Sequence, residues 1–278
     1  MIITIASGKG GTGKTTVAVN LALCIKKAQL IDADVEEPNA NVLLQASFSE
    51  EKDVVVAVPK INDDLCTYCG KCSEFCAYNA LAVVPKKVLV FADLCHSCKG
   101  CEIVCPVDAV GWQNRIVGKI RKGENKGVDI VEGDLNLGES MAIPVIKSVK
   151  NEIDSEKNVI IDAPPGTSCP VLESITGSDY VILVTEPTPF GLHDLKLAVD
   201  VVRRMNLPFG IIINRDGVGD KRVEFYCQQE NIPILLKIPH DMQIASLYSN
   251  GEPFVLHMPQ LKNAFEQLME RIKQEVFP

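Results

Sequence analysis

Residues 8–16 read Gly-Lys-Gly-Gly-Thr-Gly-Lys-Thr-Thr, and eight of the chain's eleven cysteines fall between residues 66 and 105. Each set implies its own chemistry. Gly8, Gly10, Gly11 and Gly13 let the backbone curl until successive amides, through Thr12 to Thr16, face a phosphate. Lys14 is expected to reach the β/γ-phosphates and Thr15 to offer its hydroxyl to Mg²⁺. Both stand at a helix start, where unpaired N–H groups and the helix dipole favour anions.

The cysteines form two copies of one pattern. Cys66, Cys69, Cys72 and Cys76 are spaced C-x2-C-x2-C-x3-C, and Cys95, Cys98, Cys101 and Cys105 repeat that spacing 29 residues later. The match extends past the thiols, from Asp64-Leu65 against Asp93-Leu94 to Ala80-Leu81 against Ala109-Val110, so the segment is an internal duplication. The chain opens on an apolar strand rather than a signal peptide, which points to the cytoplasm, where thiols stay reduced. Metal is therefore the expected use. Zinc sites favour well-separated C-x2-C knuckles, whereas four cysteines within eleven residues, twice, suit iron–sulfur ligation.

The elements that must position these groups alternate along the chain. Ile2–Ala6 reads as a buried strand before the loop, and residues 15–27 carry apolar positions at helical spacing. Gln29–Asp34 is a second strand ending in Asp32 and Asp34, two residues apart and so facing one way. Residues 53–58 read as a strand that stops at Pro59. Between Trp112 and Val128 the residues turn polar and basic, as suits an exit from an inserted module. Residues 140–149 are helical in pattern, 158–162 form a strand ending in Asp162, and further strands lie at 180–187, 209–215 and 234–239. This rhythm implies a doubly wound, mostly parallel α/β sheet with ligands at the strands' C-terminal ends. The last helix, with Leu261, Phe265, Leu268 and Ile272 on one stripe, is expected to pack on the core.

Lys9 makes the loop distinctive. Gly8-Lys9-Gly10-Gly11-x-Gly13-Lys14-Thr15 resembles the deviant phosphate loop of the MinD/ParA group of dimerising P-loop ATPases. The resemblance implies that Lys9 crosses to a partner subunit's phosphates as a lysine counterpart of the arginine finger. It further implies that Asp32 supports Mg²⁺, Asp34 orients the attacking water and Asn39 belongs to a switch. Asp162, followed by Ala163-Pro164-Pro165-Gly166-Thr167, would lie beside Mg²⁺, with the Gly166 amide presented to the γ-phosphate. Asn214 and Arg215 would contact adenine, and Pro239-His240-Asp241 would form the last nucleotide-side loop.

The cysteine run resembles bacterial two-cluster ferredoxins, in which three ligands come from one half and the fourth from the other. By that resemblance Cys66, Cys69, Cys72 and Cys105 hold one [4Fe-4S] cluster, and Cys95, Cys98, Cys101 and Cys76 the other. Pro106 follows Cys105 as usual, but Ala77 follows Cys76. His96 and Tyr68 lie inside the cysteine loops. Cys24, Cys169 and Cys227 read as buried small hydrophobes, and Cys169-Pro170-Val171-Leu172 departs from the C-P-x-C pair of the related Mrp-type cluster carriers.

The whole chain is similar to MinD-superfamily ATPases carrying an inserted ferredoxin-like α+β domain, with the ATPase at residues 1–56 and 119–278 and the insert at 57–118. Net charge is −8, which argues against nucleic acid as a partner. Basic clusters at Lys119, Arg121, Lys122 and Lys126, at Arg203 with Arg204, and at Lys221 with Arg222 read as solvated faces. No apolar run approaches a membrane span, and the C-terminal helix lacks the basic bias of a membrane anchor. The expected cofactors are ATP, Mg²⁺ and two [4Fe-4S] clusters. The expected partners are a second subunit, in an ATP-dependent homodimer or a heterodimer with a paralogue, and a redox or metallocluster client. Coupling of ATP hydrolysis to electron transfer or metallocluster assembly is the leading function. A positioning ATPase that uses the module for docking, or a cluster-transfer scaffold, is the alternative.

Overall fold

The structure, a computed structural model, describes residues 1–277. Nine strands form one sheet in the order β11-β10-β9-β1-β8-β2-β7-β6-β3. The strands β1 (Ile2–Ala6), β2 (Ala28–Asp32), β7 (Val128–Leu135), β8 (Asn158–Asp162), β9 (Tyr180–Thr185), β10 (Phe209–Asp216) and β11 (Ile234–Pro239) run parallel. The antiparallel pair β3 (Ser47–Ile61) and β6 (Val110–Asn125) extends the β7 edge. The expected doubly wound α/β sheet is thus present, with an antiparallel margin added.

Both faces of the parallel strands are buried, which is why they are near-continuous apolar runs. Alternate residues divide between two cores. Ile3, Ile5, Ile160 and Ile182 pack with α1 (Lys14–Leu23), α2 (Ala40–Leu44) and the C-terminal helix α10 (Pro259–Val276). On the other face Ile161 and Val159 pack beneath α5 (Ile143–Lys150), while Val181, Leu183, Ile211 and Ile213 meet α6 (Cys169–Ile175), α7 (Pro189–Arg204) and α8 (Arg222–Gln229). The α10 stripe lies in the core as expected, with Phe265, Leu268 and Ile272 fully buried. Among the described residues no helix is long and apolar enough to cross a membrane.

The margin corrects one expectation. Residues 53–58 belong to a 15-residue strand that continues through Pro59, which pairs with Trp112. Proline is tolerated there because β3 is the sheet's outer strand, so one row of its amides needs no partner. The polar stretch after Trp112, expected as the exit from an inserted module, lies on a 16-residue strand, β6, and β7 follows it. The ribbon pairs continuously from Ser47↔Glu124 to Ile61↔Val110, with two irregularities, and no change of element marks the borders expected at 56/57 and 118/119.

At the ribbon's far end sit α3 (Lys71–Phe75), the hairpin β4 (Leu81–Val84) with β5 (Lys87–Val90), and α4 (Gly100–Ile103). Their small core of Leu81, Val88, Cys101 and Val110 is lined by further cysteines. The duplication is legible in backbone angles. Left-handed residues recur 29 positions apart: Tyr68 with Ser97, Gly70 with Lys99, and Asn79 with Asp108. The two helices pack so closely that a Cβ on Gly100 would fall 2.1 Å from the Phe75 ring. Cys95 packs with Val56, Val58 and Ala80 in the cluster of buried residues under α5, and the Ser97 hydroxyl donates to the Ala57 carbonyl at 2.6 Å.

Candidate functional site

The loop between β1 and α1 starts at the centre of the sheet, where β1 lies between β8 and β9. Gly11 and Gly13 adopt left-handed angles (φ 75° and 93°) that other residues reach only under strain. Gly8 is required for a different reason: a Cβ there would stand 2.0 Å from the Asp194 carbonyl oxygen of α7. Beside Gly10, Gly11 and Gly166 the space is open, the nearest atom to an added Cβ being Pro165 Cβ at 4.0 Å from Gly10. That cradle fits a phosphate chain.

Three acids stand abreast across β8, β2 and β7. Asp32 is in register with Asp162 on one side and with Glu132 on the other, and all three are fully buried. Both Asp162 carboxylate oxygens lack a hydrogen-bond partner. Burial raises the Asp162 carboxyl to about 7, a shift that the Thr15 hydroxyl and Lys14 ammonium oppose and Asp34 reinforces. An orphaned carboxylate next to a hydroxyl and the nearly buried Lys14 fits a divalent cation.

Asp32 is occupied otherwise. Its Oδ2 accepts from the Asn39 and Ala40 amides, each at 3.0 Å, and its Oδ1 from the Asp34 amide at 3.1 Å. Burial, and then the neighbouring Asp162, push its carboxyl well above the usual range. It therefore shapes the turn that carries Asp34 and Asn39. Asp34 sits at about 6, raised by burial against the pull of Lys14.

Other expected residues are brought to the loop with particular partners. The Asn214 side-chain amide donates to the Thr12 carbonyl at 2.8 Å and so braces the loop. Arg215 donates to Glu186 at 2.5 Å, and Lys9 Nζ lies 3.7 Å from the same carboxylate. The Gly166 amide donates to the Ser7 carbonyl at 3.0 Å, so it faces a phosphate only if that bond opens. Pro239 pairs with Asp216 at the end of β11, and the Asp241 carboxylate caps α9 (Met242–Ser249), accepting from the Gln243 amide at 2.6 Å. The hydroxyl of Thr12 is buried without a partner, and the carbonyl of Thr16 accepts from the side-chain amide of Asn20 at 2.7 Å.

The eight module cysteines separate into two cavities. One is lined by Cys66, Cys69, Cys72 and Cys105, the other by Cys76, Cys95, Cys98 and Cys101. They enclose about 360 Å³ and 600 Å³ of space free of protein atoms, partly open to solvent. Amide-to-sulfur hydrogen bonds repeat between the halves: Tyr68 to Cys66 at 3.4 Å and Ser97 to Cys95 at 3.5 Å, Ala80 to Cys76 and Ala109 to Cys105 at 3.3 Å. Such donors favour thiolates over thiols. The Lys71 amide likewise holds exposed Cys69 below the ordinary thiol range, whereas burial pushes Cys101 up to about 11. Among the described residues no three Cys, His, Asp or Glu side chains converge on a point suited to one metal ion. A cubane takes each thiolate on a different iron, so its ligands line a cavity instead.

Sequence reading missed several neighbours. Tyr78 stacks on His96 at the second cavity, with ring centroids 3.6 Å apart. Glu132 was hidden as one acid in an apolar run. Arg121, expected in a solvated basic face, ion-pairs with it, while Lys119 and Lys122 pair with surface acids. Cys227 is buried and Cys24 half-buried, its thiol raised to about 12 by burial, but Cys169 is exposed rather than packed.

Known proteins resemble this chain in sequence and in fold. An uncharacterized protein of Methanocaldococcus jannaschii is 33% identical over 275 residues, covering 96% of each chain. An iron–sulfur cluster carrier protein of Pyrococcus horikoshii is 27% identical, over 97% of this chain and 84% of its own. The septum site-determining protein MinD of Pyrococcus horikoshii, solved with Mg-ADP, superposes with a TM-score of 0.62 over 99% of this chain and 97% of its own, at 21% identity, a likeness of fold. With residues 3–254 matching that family's description, the chain belongs to the CobQ/CobB/MinD/ParA nucleotide-binding domain family.

Proposed function

We propose that the chain is an ATP-hydrolysing iron–sulfur protein. Nucleotide-dependent switching or dimerisation at the glycine loop is coupled to two [4Fe-4S] clusters that serve electron transfer or metallocluster assembly. One observation carries this reading: two four-cysteine cavities, each built from both halves of a duplication, stand on a ribbon that is part of the nucleotide sheet. Four cysteines within eleven residues, twice, favour iron–sulfur ligation over zinc. The name of the Pyrococcus carrier protein supports a second reading, in which the clusters are cargo.

In this reading the loop amides and Lys14 bind the phosphates, and Thr15 with Asp162 hold Mg²⁺, which supplies positive charge against the transferring phosphoryl group. Asp34 accepts a hydrogen bond from the attacking water. Its raised pKa suits a group that takes a proton near neutrality. Lys9, resting on Glu186 in the single chain, is the group that swings to a partner's phosphates, and Asn214, Arg215, Pro239 and Asp241 border the base. The cysteines hold the clusters in the two crossed sets, which supply one-electron chemistry. Residues 57–118 form the cluster module and the rest the ATPase, with the ribbon common to both.

Anaerobically purified protein is expected to carry about eight irons with equal acid-labile sulfide, four per cubane. Cys66→Ser and Cys105→Ser should each lose about half, and the pair together no more, whereas Cys66→Ser with Cys76→Ser should lose nearly all. Zinc without sulfide overturns the cluster assignment, and additive loss in the first pair overturns the crossed ligation. For the ATPase, Lys14→Ala should abolish nucleotide binding. Lys9→Ala should keep binding but lose ATP-dependent dimers and, by comparison with arginine fingers, on the order of 10³ in turnover; undiminished rates in both contradict the mechanism.

Asp162 gives a pH signature. Its folded-state carboxyl, at about 7, lies above the unfolded value of about 4, so between those limits the folded state binds more protons and loses stability as pH rises. Without Mg²⁺, Asp162→Asn should gain thermal stability relative to the parent from pH 5 to pH 8, and Mg²⁺ should narrow the gap by stabilising only the parent. Parallel melting curves across this range contradict a metal-poised Asp162.

A further inference from the structure

The nucleotide end and the cysteine end of the molecule are joined by a specific set of side chains. The turn after β2 ends in α2, a helix of five residues. Its first amide, that of Ala40, is committed with that of Asn39 to Asp32, beside the unpartnered Asp162. At the next residue, the Asn41 side-chain amide donates to Glu132 Oε2 at 3.0 Å. The other Glu132 oxygen accepts from the Arg121 guanidinium. At its far end α2 is held again by the ribbon: Asn125 donates to the Leu44 and Gln45 carbonyls at 2.9 and 2.8 Å, and Lys126 Nζ to Leu44 at 3.1 Å.

Arg121, Asn125 and the residues that border the cavities, Val110 and Trp112, all lie on β6. Trp112 is the chain's only tryptophan, and its indole donates to Glu102 of α4 at 2.9 Å.

We propose that Asn41, Glu132 and Arg121 form a relay that passes movement of the nucleotide-side turn to strand β6 and hence to the cysteine module. The inference rests on the proposed function and adds the residues that carry the coupling. Glu132 is fully buried with two donors, so it cannot release either one cheaply: a displaced Asn41 leaves a buried carboxylate short of a partner. Arg121 is the cation that must follow it. The guanidinium is confined, lying over the Phe48 ring with its carbon 4.8 Å from the centroid, 3.8 Å from Asp134, and with its Nε buried and unpartnered. A helix as short as α2, fixed to Asp32 at one end and to β6 at the other, moves as a unit. Any shift at the turn is then absorbed at β6. These are positioning residues, and none of them contacts the phosphate cradle or a cysteine cavity.

The test is amide hydrogen exchange on the anaerobic, iron-loaded protein with and without Mg²⁺ and a non-hydrolysable ATP analogue. In the parent, exchange across residues 110–119 is expected to change about fivefold or more, the lower end of ordinary coupling between sites. Asn41→Leu should abolish this response while leaving iron content and analogue affinity at parent levels. Arg121→Met alone strands a buried charge, so the paired Arg121→Met/Glu132→Gln variant, which removes both charges at near-constant size, is the second arm and should behave like Asn41→Leu. Retention of the response in either variant overturns the relay. A parent whose ribbon ignores the analogue overturns it as well, while iron content and nucleotide binding in the same samples report separately on the proposed function.

Discussion

Three carboxylates side by side, without exposure to water, are the constraint around which the sheet is organised. Asp162, Asp32 and Glu132 occupy one register across β8, β2 and β7, where like charges repel and water cannot help. Each is accommodated differently. Asp162 is left without hydrogen bonds beside Lys14 and Thr15, as suits a cation. Asp32 is given three backbone amides, which fix the following turn. Glu132 is given an arginine and an asparagine, which fix the ribbon to α2. A one-residue slip of β2 against either neighbour would reverse its faces and destroy all three solutions at once.

The ribbon joins the two halves of the molecule and solves a second problem. An outer strand with free amides invites pairing with other chains. Here β3 is outermost, and its exposed length carries Glu50, Glu51, Lys52 and Asp53, of which Glu51 pairs with Lys119 and Glu50 with Lys122 across the ribbon. Its apolar part turns inward beneath α5, where Val54, Val56 and Val58 meet Cys95. The module is therefore packed against the main sheet. Arg115 strengthens the joint by reaching both Asp93 of the second cysteine repeat and Glu139 of the loop after β7.

Much of this was legible in the residues, for identifiable reasons. The central strands are short apolar runs with defined ends that carry the phosphate loop and Asp162, and such runs have one reading when both faces are buried. The cysteine sets were legible because spacing and repetition specify them. The antiparallel margin was not. On a half-solvated outer ribbon the alternation is diluted by charge, so β6 read only as a polar and basic exit, and Pro59 suggested a strand end where an outer strand merely tolerates it. Arg121 was misread because sequence cannot distinguish a guanidinium in water from one reaching a buried acid on the next strand. Tyr78 and His96, 18 residues apart, meet only through the fold of the duplicated loops.

The proposed function requires coupling, in which the nucleotide site and the cysteine module share free energy. Its most direct measurement is the reduction potential of the anaerobic protein in Mg-ADP and in Mg²⁺ with a non-hydrolysable ATP analogue. Linkage requires that any preference of a nucleotide for one oxidation state appear as a shift in potential. A shift of about 40 mV, roughly a fivefold change in a one-electron equilibrium, is the expected result. Superimposable titrations in the two nucleotides, with binding of both verified, would contradict the account.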